Sequence, residues 1–458
     1  MVGENSLPRS RGKMNLGAFM WYDGNYNLAA WRQPDAYADA GHNIARWIDC
    51  ARILERGKFD MLFVADYTSP PGFDHVDTMS QSPRSFGFEP VTLLSALSTA
   101  TTQLGLAGTI STTWNEPYTV ARMLASLDHL SSGRAGWNIV TGRNPDDAKN
   151  FSKEEHLEHD ARYRRAEEFV DVVTGLWDTF EDDAFIMNRE TGYFFDPRKI
   201  HGLYHKGEHF AVRGPLGVAR PPQGYPVRIV AGDSEPGRQL AARVADVVFT
   251  SQASMPTAQA FYSDMKQRVS VFGRDPDSLK ILPGVTPYIG RTREEAEEKY
   301  DRLAQLLPLP YAIRQLSSML GFDLSGYPAD GPIPDVPART KRTTSTTNFL
   351  APARSANLTL GQTALRACAS KSHYAIKGTA LDIADQMEEW FVNNACDGFN
   401  ILPPQIPSDL ESFVSFVVPE LRRRGLFRSE YEGSTLRENL GLARPPHSRS
   451  GPDAVRVV

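Results

Sequence analysis

Polar residues that could carry out chemistry follow four short apolar segments of the chain. They are Asp66 and Tyr67, the run from Ser111 to Glu116, the run from Asn138 to Asn144, and the group Gly232-Asp233-Ser234. If the apolar segments are parallel strands, these side chains lie at the carboxyl ends of the strands, where α/β folds place their active sites. These positions are therefore the first candidates for a functional site.

The turn Ala231-Gly232-Asp233-Ser234-Glu235-Pro236-Gly237 could bind an anion. It joins a predicted strand to a predicted helix, with Ser234 as the N-cap and a proline in the first turn. Free backbone N–H groups at a helix start, together with the helix dipole, favour a phosphate. Plain helix capping nevertheless explains Ser234 better when the turn is taken alone, and Asp233 and Glu235 would repel a phosphate.

The run Glu154-Glu155-His156-Leu157-Glu158-His159-Asp160-Ala161-Arg162-Tyr163 is predicted to open the helix after the fourth strand. His159 and Tyr163 are four residues apart, so both can point from one helix face and donate to a bound anion. Two other interpretations stay open: an acidic first turn that complements the helix dipole, and a metal site that includes His156. We predict no metal, because no second His or Cys cluster has zinc-ligand spacing.

The other candidate side chains also have ordinary structural explanations. Asp66 is a common cap or turn residue, and threonines such as Thr113 are common in strands. Phe19 and Trp114 could form walls of a substrate pocket, although aromatic residues in these positions are more often packing residues. The sequence has no G-x-S-x-G motif, P-loop or Cys/His pairing, so nucleophilic and phosphoryl-transfer chemistry have no motif support.

The elements that must position these residues follow from the hydrophobic pattern. Short apolar runs alternate with longer amphipathic stretches, which is typical of parallel strands joined by helices. Eight strands are predicted, near residues 16–21, 61–65, 104–110, 135–141, 227–231, 247–250, 280–288 and 399–402. Helices are predicted at 42–56, 90–101 and 292–306. Eight such units close most naturally as a TIM (β/α)₈ barrel. A doubly wound sheet is disfavoured, because no G-x-G-x-x-G follows the first strand.

Some segments are longer than a barrel requires. We predict one α/β barrel domain over residues 14–425, with long insertions at 179–226 and 308–377, and a C-terminal tail at 426–458. The middle of the second insertion, residues 326–355, is rich in Pro, Gly, Ser and Thr. Long irregular loops in compact domains are usually lids, binding loops or disordered segments. We interpret the second insertion as a mobile lid over the barrel mouth, with disorder as the alternative.

Composition and charge point to small-molecule partners. The 458 residues carry 50 Lys+Arg against 55 Asp+Glu, a formal charge of -5, so we expect no nucleic-acid or membrane partner. The three cysteines have no C-x-x-C spacing, which fits a reducing compartment. No apolar run is long enough to cross a bilayer and the first dozen residues are polar, so a cytoplasmic protein is expected.

Six ordered blocks of the sequence carry a resemblance to a known family. They are Trp31-Arg32-Gln33-Pro34-Asp35, residues 55–66, Ser111-Thr112-Thr113-Trp114-Asn115-Glu116-Pro117-Tyr118, residues 127–141, His159-Asp160-Ala161-Arg162-Tyr163 and Ala231-Gly232-Asp233-Ser234-Glu235-Pro236-Gly237. Together they closely resemble the bacterial-luciferase-like flavin monooxygenases, in the group of nitrilotriacetate, dibenzothiophene sulfone and long-chain alkane monooxygenases. The resemblance runs from about Gly17 to Gly425.

The resemblance implies a luciferase-like barrel that binds reduced FMN from a separate NAD(P)H:flavin reductase. With O₂, it implies oxygenation of a small organic substrate through a flavin peroxide. Carried over by position, it makes Asp66 and Thr113 neighbours of the isoalloxazine ring. By the same reasoning His159, Tyr163 and Ser234 become phosphate ligands. We also expect a homodimer or homotetramer.

Two departures from the family pattern bear on the substrate. The family's Val-Thr-Ser is Val140-Thr141-Gly142 here, and Arg143 stands where alkane-oxidising relatives have a histidine. The segment at residues 316–328 looks more like the nitrilotriacetate and sulfone branch. We predict Asn138 and Arg143 as catalytic residues, and Arg143 also as a substrate-binding residue together with Phe19 and Trp114. A guanidinium favours a polar or anionic substrate, unless it is a surface ion pair with Asp146 or Asp147.

Two alternative functions remain. Related barrels bind a deazaflavin and work without oxygen, so a deazaflavin-dependent oxidoreductase is the second enzyme hypothesis. A non-catalytic flavin-binding barrel is the third, although a long lid argues against a simple carrier.

Overall fold

The protein was analysed as a computed structural model that describes residues 12–21, 23–70, 73–142, 144–337, 350, 353–370 and 373–448. Within these residues the strands are β1 (Asn15–Trp21), β2 (Met61–Ala65), β3 (Gly105–Ser111), β4 (Ala135–Val140), β5 (His205–Lys206), β6 (Ala211–Val212), β7 (Val227–Ala231), β8 (Val247–Thr250), β9 (Lys280–Ile289), β10 (Tyr374–Gly378) and β11 (Gly398–Ile401). Eight of them form a closed parallel barrel in the order β1-β2-β3-β4-β7-β8-β9-β11. The barrel closes at β1, where Gly17 pairs with Met61 on one side and Asn400 on the other. The predicted fold is therefore confirmed.

Helices cover the outside of the barrel. In the described residues they are α1 (Ile44–Arg56), α2 (Val76–Met79), α3 (Pro90–Ser98), α4 (Pro117–Leu130), α5 (Asp147–Asn150), α6 (His159–Trp177), α7 (Glu235–Val244), α8 (Met255–Val271), α9 (Arg293–Gln305), α10 (Leu309–Leu320), α11 (Leu360–Ser370), α12 (Ala380–Val392), α13 (Ser408–Ser412), α14 (Val418–Arg423) and α15 (Leu436–Asn439). A π-helical turn, Phe413–Val417, joins α13 to α14. Because helices cover one face of the strands and side chains fill the barrel on the other, β2 and β3 are buried along their whole length.

The amino-terminal end of the barrel is closed by the chain that follows Gly425. Leu436, Leu440 and Leu442 join the side chains that fill the barrel interior. A Cβ atom built on Gly105 would lie 2.5 Å from Leu436, so the strand packs directly against this segment. Buried ion pairs hold it in place, Arg428 to Asp60 at 2.6 Å and Arg437 to Asp246 at 2.9 Å. The described part of the predicted tail is thus an integral part of the barrel.

The two predicted insertions are partly ordered by their own contacts. The first contains the antiparallel pair β5–β6. In the second, α10 and α11 bury a shared apolar cluster that includes Leu316, Leu320 and Ala364, and that cluster also takes in Leu28. The insertion ends in β10, which pairs in parallel with the distal half of β9. The insertion therefore carries structure that the sequence did not predict, while the central residues 338–349 lie outside the described residues.

Several predicted helix boundaries need correction. The helix predicted at 42–56 begins at Ile44, because Asn43 caps it by accepting a hydrogen bond from the N–H of Ala45 at 3.1 Å. The helix predicted at 90–101 ends at Ser98. The helix predicted to open at Glu154 begins at His159, after the short helix α5. Only Asp160 is acidic in its first turn, so the acidic-turn interpretation is weaker than predicted.

Candidate functional site

Three predicted phosphate ligands lie together at the carboxyl ends of β4 and β7. The Ser234 hydroxyl donates to the hydroxyl of Tyr163 at 3.3 Å, and the rings of His159 and Tyr163 have centroids 5.0 Å apart. Ser234 is also the N-cap of α7, since its oxygen accepts from the N–H of Gly237 at 3.3 Å. Capping and a role in anion binding are therefore compatible at this residue.

Glycine at position 237 allows this close approach. A Cβ atom there would lie 3.1 Å from both the Ser234 Oγ and the Tyr163 hydroxyl, which is tighter than most side-chain contacts. A Cβ atom at Gly232 would lie 3.6 Å from the same tyrosine hydroxyl. The two hydroxyls, the first turn of α7 and the two glycines thus form a small polar recess, which we name the phosphate recess.

The negative charge of the two acidic residues beside the phosphate recess is offset in two different ways. Arg268 holds the Glu235 carboxylate at 2.6 and 3.0 Å and thereby lowers its pKa. Asp233 accepts from the hydroxyl of Thr250 at 3.0 Å, and burial raises the pKa of its carboxyl toward the neutral form. The repulsion expected from the sequence is therefore weakened.

Asp66 and Thr113 lie on the adjoining part of the mouth, after β2 and β3. Burial, together with the nearby carboxylates of Glu89 and Asp147, raises the pKa of Asp66 to about 7. Thr113 is buried, and its hydroxyl donates to the carbonyl of Thr141 at 2.7 Å. Its one hydroxyl proton is used in that bond, so Thr113 can offer a ligand only an acceptor.

Asn138 points into the barrel from β4. Its amide nitrogen donates to the hydroxyl of Thr109 at 2.9 Å, and that hydroxyl donates to the carbonyl of Val64 at 2.9 Å. Among the described residues the amide oxygen of Asn138 has no hydrogen-bond partner, although it is buried. Since buried acceptors are normally satisfied, this oxygen is available to a ligand.

A second polar cluster at the mouth was not predicted. Asp147 accepts a hydrogen bond from the Ser69 hydroxyl at 2.6 Å, and burial raises the pKa of this carboxyl. A Cβ atom at Gly142, whose φ is +68°, would lie 3.2 Å from Trp114 Nε1, 3.3 Å from His156 Nε2 and 3.5 Å from Asp147 Oδ2. These three groups lie so close to Gly142 that a side chain at this position would crowd them.

Phe19 and Trp114, both predicted as substrate-binding residues, have different surroundings. Phe19 lies inside the barrel, 4.9 Å from Phe249 and 5.0 Å from Phe63 between ring centroids. Trp114 stacks on Phe151 at 5.2 Å and meets His156 edge-on at 4.8 Å. Phe19 therefore faces the barrel interior, whereas the Trp114 ring is engaged with the loop before α6.

Arg143, the predicted catalytic and substrate-binding arginine, lies outside the described residues. The carboxylates suggested as its surface partners have other contacts. Asp146 pairs with Lys149 at 2.8 Å, and Asp147 is buried against Ser69.

Metal-binding clusters and membrane-spanning helices are both absent from the described part of the chain. Those residues contain no group of three or more His, Cys, Asp or Glu side chains arranged to hold a metal ion. Within the same residues, no helix has the length and apolar character needed to cross a membrane.

Comparisons with known proteins place these observations in context. Residues 27–391 match the family of luciferase-like monooxygenases. The chain is 48% identical to N-acetyl-S-(2-succino)cysteine monooxygenase of Bacillus subtilis (strain 168), over 94% of this chain and 97% of that protein. It is 46% identical to nitrilotriacetate monooxygenase component A of Aminobacter aminovorans, over 96% and 99%. A solved structure of riboflavin lyase, with modified FMN and riboflavin, superposes with a TM-score of 0.83 at 30% identity, over 96% of this chain and 98% of that one.

Proposed function

We propose, since this chain belongs to the luciferase-like monooxygenase family, that it is the oxygenase component of a two-component flavin monooxygenase. It binds reduced FMN delivered by a separate NAD(P)H:flavin reductase and uses O₂ to oxygenate a small anionic organic substrate. When bound, reduced FMN supplies the electrons that activate O₂, and the protein's task is to hold, orient and enclose it.

The phosphate recess is the observation that carries this proposal. Ser234 and Tyr163 come from different helices, yet their hydroxyls are 3.3 Å apart beside the amino terminus of α7. A helix amino terminus and clustered hydroxyl donors stabilise a phosphate dianion. His159 adds an imidazole on the same face of α6. These side chains fit the phosphate of FMN.

The walls of the mouth suit the reduced form of the cofactor. Thr113 can only accept a hydrogen bond, and the buried amide oxygen of Asn138 is an acceptor that has no partner among the described residues. A reduced isoalloxazine ring carries one more ring N–H group than an oxidised ring. Two acceptors at the mouth therefore complement its donors, and we assign Asn138, Thr113 and Asp66 to this part of the site.

The barrel also keeps water away from the reaction. Among the described residues, apolar side chains line much of the interior below the mouth, and the segment carrying Leu436 closes the far end. Solvent can then reach bound flavin only from the mouth, which the predicted lid could cover. Exclusion of water is a general requirement for reactive oxygenating species.

The substrate class follows from the relatives and from Arg143. N-acetyl-S-(2-succino)cysteine and nitrilotriacetate, which name the activities of two relatives, are small molecules with several carboxylates. A guanidinium beside the reacting edge of the flavin would bind one such carboxylate. We therefore favour an anionic substrate over an alkane.

Flavin titration tests the phosphate recess. The double variant Tyr163→Phe/Ser234→Ala removes two hydroxyls, and at roughly 1.5–3 kcal/mol for each charge-assisted bond it should lose at least ~2 kcal/mol of FMN binding. The matched control is Tyr204→Phe/Ser270→Ala, which removes the same two groups from exposed positions and should bind FMN normally. Unchanged affinity in the first variant would reject the site.

Product analysis tests the reaction. The protein, FMN, NADH and a generic flavin reductase are incubated under ¹⁸O₂ with a panel of small carboxylates, including nitrilotriacetate and N-acetyl-S-(2-succino)cysteine. One labelled oxygen atom in the product is expected. Flavin binding without label in any product would favour a flavin carrier, and reduction of a deazaflavin without O₂ would favour the deazaflavin alternative.

A further inference from the structure

An aromatic wall lies inside the barrel on β8, β1 and β2. Phe249 of β8 is 4.9 Å from Phe19 of β1 and 5.7 Å from Phe63 of β2, measured between ring centroids. Tyr26 meets Phe19 edge-on at 6.4 Å. These rings form an apolar surface of the kind that contacts the carbon skeleton of a small ligand.

His373, the residue directly before β10, reaches this wall from the end of the second insertion. Its imidazole stacks on Phe249 with centroids 5.2 Å apart and planes 7° apart, and it lies edge-on to Tyr26 at 5.8 Å. Gly284 of β9 leaves the space that the imidazole occupies. A Cβ atom at this glycine would lie 2.4 Å from His373 Nδ1, so no larger residue fits without moving the ring.

A buried amide lies on the neighbouring strand. Asn400 of β11 pairs with Gly284 on one side and with Gly17 on the other. Its amide oxygen fills the space left by Gly17, where a Cβ atom would be only 2.1 Å away. Asn400 is fully buried, and neither its oxygen nor its nitrogen has a hydrogen-bond partner among the described residues.

The hydroxyl of Thr286 repeats this pattern. Thr286 follows Gly284 by two residues on β9, so it lies on the same face of the strand and nearer the mouth. It is fully buried, and its hydroxyl has no partner within the described chain. A buried amide or hydroxyl without a hydrogen bond lowers the stability of the folded protein. A role in packing alone therefore does not explain why polar residues stand at these two positions.

We propose that His373 and Asn400 bind the polar group of the substrate, with Phe19 and Phe249 as the apolar walls of the same pocket. This assignment rests on the proposed function for the identity of the pocket as a substrate site. An imidazole and an amide N–H donate to a carboxylate oxygen, and the amide oxygen of Asn400 accepts from a protonated group. The second insertion would then determine specificity directly, through the side chain that precedes β10.

Alkylation tests whether position 373 faces an open pocket, and it requires neither flavin nor substrate. The three native cysteines are buried, so the wild-type protein gives the background. In the variant His373→Cys, iodoacetate should carboxymethylate position 373 of the native protein far faster than any native cysteine, as located by peptide mass spectrometry. No labelling of position 373 in a variant that unfolds in urea at the wild-type midpoint would overturn the proposal. The alkylation result does not depend on the FMN titration of Tyr163→Phe/Ser234→Ala, so the two proposals can fail separately.

Kinetics with a substrate from the ¹⁸O₂ panel test the contact itself. His373→Phe keeps the ring stacked on Phe249 but removes its hydrogen bonds, so KM should rise roughly 10- to 100-fold, the equivalent of one charge-assisted bond. Gly284→Ala leaves the histidine in place but displaces its ring, and should raise KM in the same way. His373→Asn, which retains a donor, should recover part of the loss.

The same variants must keep their flavin site. FMN affinity, measured by titration, should equal that of the wild type in His373→Phe and Gly284→Ala. A wild-type KM in both would overturn the proposal. A fall in FMN affinity that accounts for the whole kinetic loss would also overturn it, because the residue would then act on the cofactor.

Discussion

Asp66 permits a quantitative test of the electrostatics at the barrel mouth. Its side chain is largely buried, and burial, with the carboxylates of Glu89 and Asp147 nearby, raises its pKa to about 7. The perturbation is Asp66→Asn, which keeps the shape of the side chain and removes its charge. Any difference in stability between the variant and the wild type then reports the free energy of ionising Asp66, because the two side chains have nearly the same size.

The direction of the pH effect on the free energy of unfolding follows from how many protons the folded and the unfolded protein bind. An unfolded aspartate has a pKa near 4, so between about pH 4 and pH 7 the folded protein holds a proton that the unfolded chain has lost. Raising the pH through that range therefore destabilises the wild type. A difference of about three between the folded and unfolded pKa corresponds to ~4 kcal/mol at most. Because the side chain keeps some contact with water, we expect Asp66→Asn to gain about 2–4 kcal/mol at pH 8.5.

Urea unfolding at pH 4.5 and pH 8.5 measures the effect. The advantage of Asp66→Asn should be below about 1 kcal/mol at pH 4.5 and reach its full value at pH 8.5. Asp301→Asn, at an exposed position on α9, is the control and should change little at either pH. An equal gain at both pH values would show that ionisation is not responsible, and a loss at pH 8.5 would refute the reasoning.

Three further predictions concern other parts of the chain. Arg143→Ala should lower kcat/KM roughly 10- to 200-fold while FMN affinity stays nearly unchanged, and loss of flavin binding instead would assign Arg143 to the cofactor. Limited proteolysis should cut near residues 328–347 and be slowed by FMN with substrate, whereas equal cleavage would argue against a gating lid. Leu436→Ala should lower the free energy of unfolding by about 2–5 kcal/mol, and Leu381→Ala, at a position 56% exposed, should cost far less in the same urea titration.

The barrel could be predicted because its signals are local. Each barrel strand is a short apolar run bounded by turn residues, and all eight predicted segments correspond to strands of the closed barrel. Helix caps such as Thr292, whose hydroxyl accepts from the N–H of Glu295, are local as well. Hydrophobic periodicity and helix capping are therefore sufficient to predict the eight-stranded barrel.

Elements stabilised by distant contacts could not be predicted in this way. The strand β10 has only five residues, and it exists because β9 extends beyond β8 and offers an unpaired edge. In the segment that carries Leu436 and Leu440 there is one short helix. Its apolar side chains are buried because they pack against the barrel interior. Neither feature has a repeating pattern that sequence periodicity would detect.

The candidate site shows the same division. Ser234 and Tyr163 could be proposed from the sequence, because Ser234 fits an N-cap and Tyr163 follows His159 by four residues. The contact of Ser69 with Asp147 spans 78 residues, and His373 meets Gly284 only in the folded barrel. A glycine in a strand was the one available signal for His373, since it often marks a close approach of another group.

Some residues that carry the family resemblance stabilise the fold and do not contact the site. Arg134 is buried, and its guanidinium donates to the carbonyls of Ser98, Thr101 and Leu104 at 2.8–3.1 Å. Asp128 accepts from the N–H of Ala135 at 3.1 Å at the start of β4. The block at residues 127–141 thus fixes the turn from which Asn138 enters the barrel.

The proposed flavin and substrate contacts lie on different strands of the barrel. The phosphate recess lies at β4 and β7, whereas the pocket that contains Phe249, Gly284 and Asn400 lies at β8, β9 and β11. The insertion that carries His373 follows β9, and His373 contacts Phe249 of the second part. If His373 binds substrate as proposed, changes in this insertion would alter substrate choice without replacing Ser234 or Tyr163.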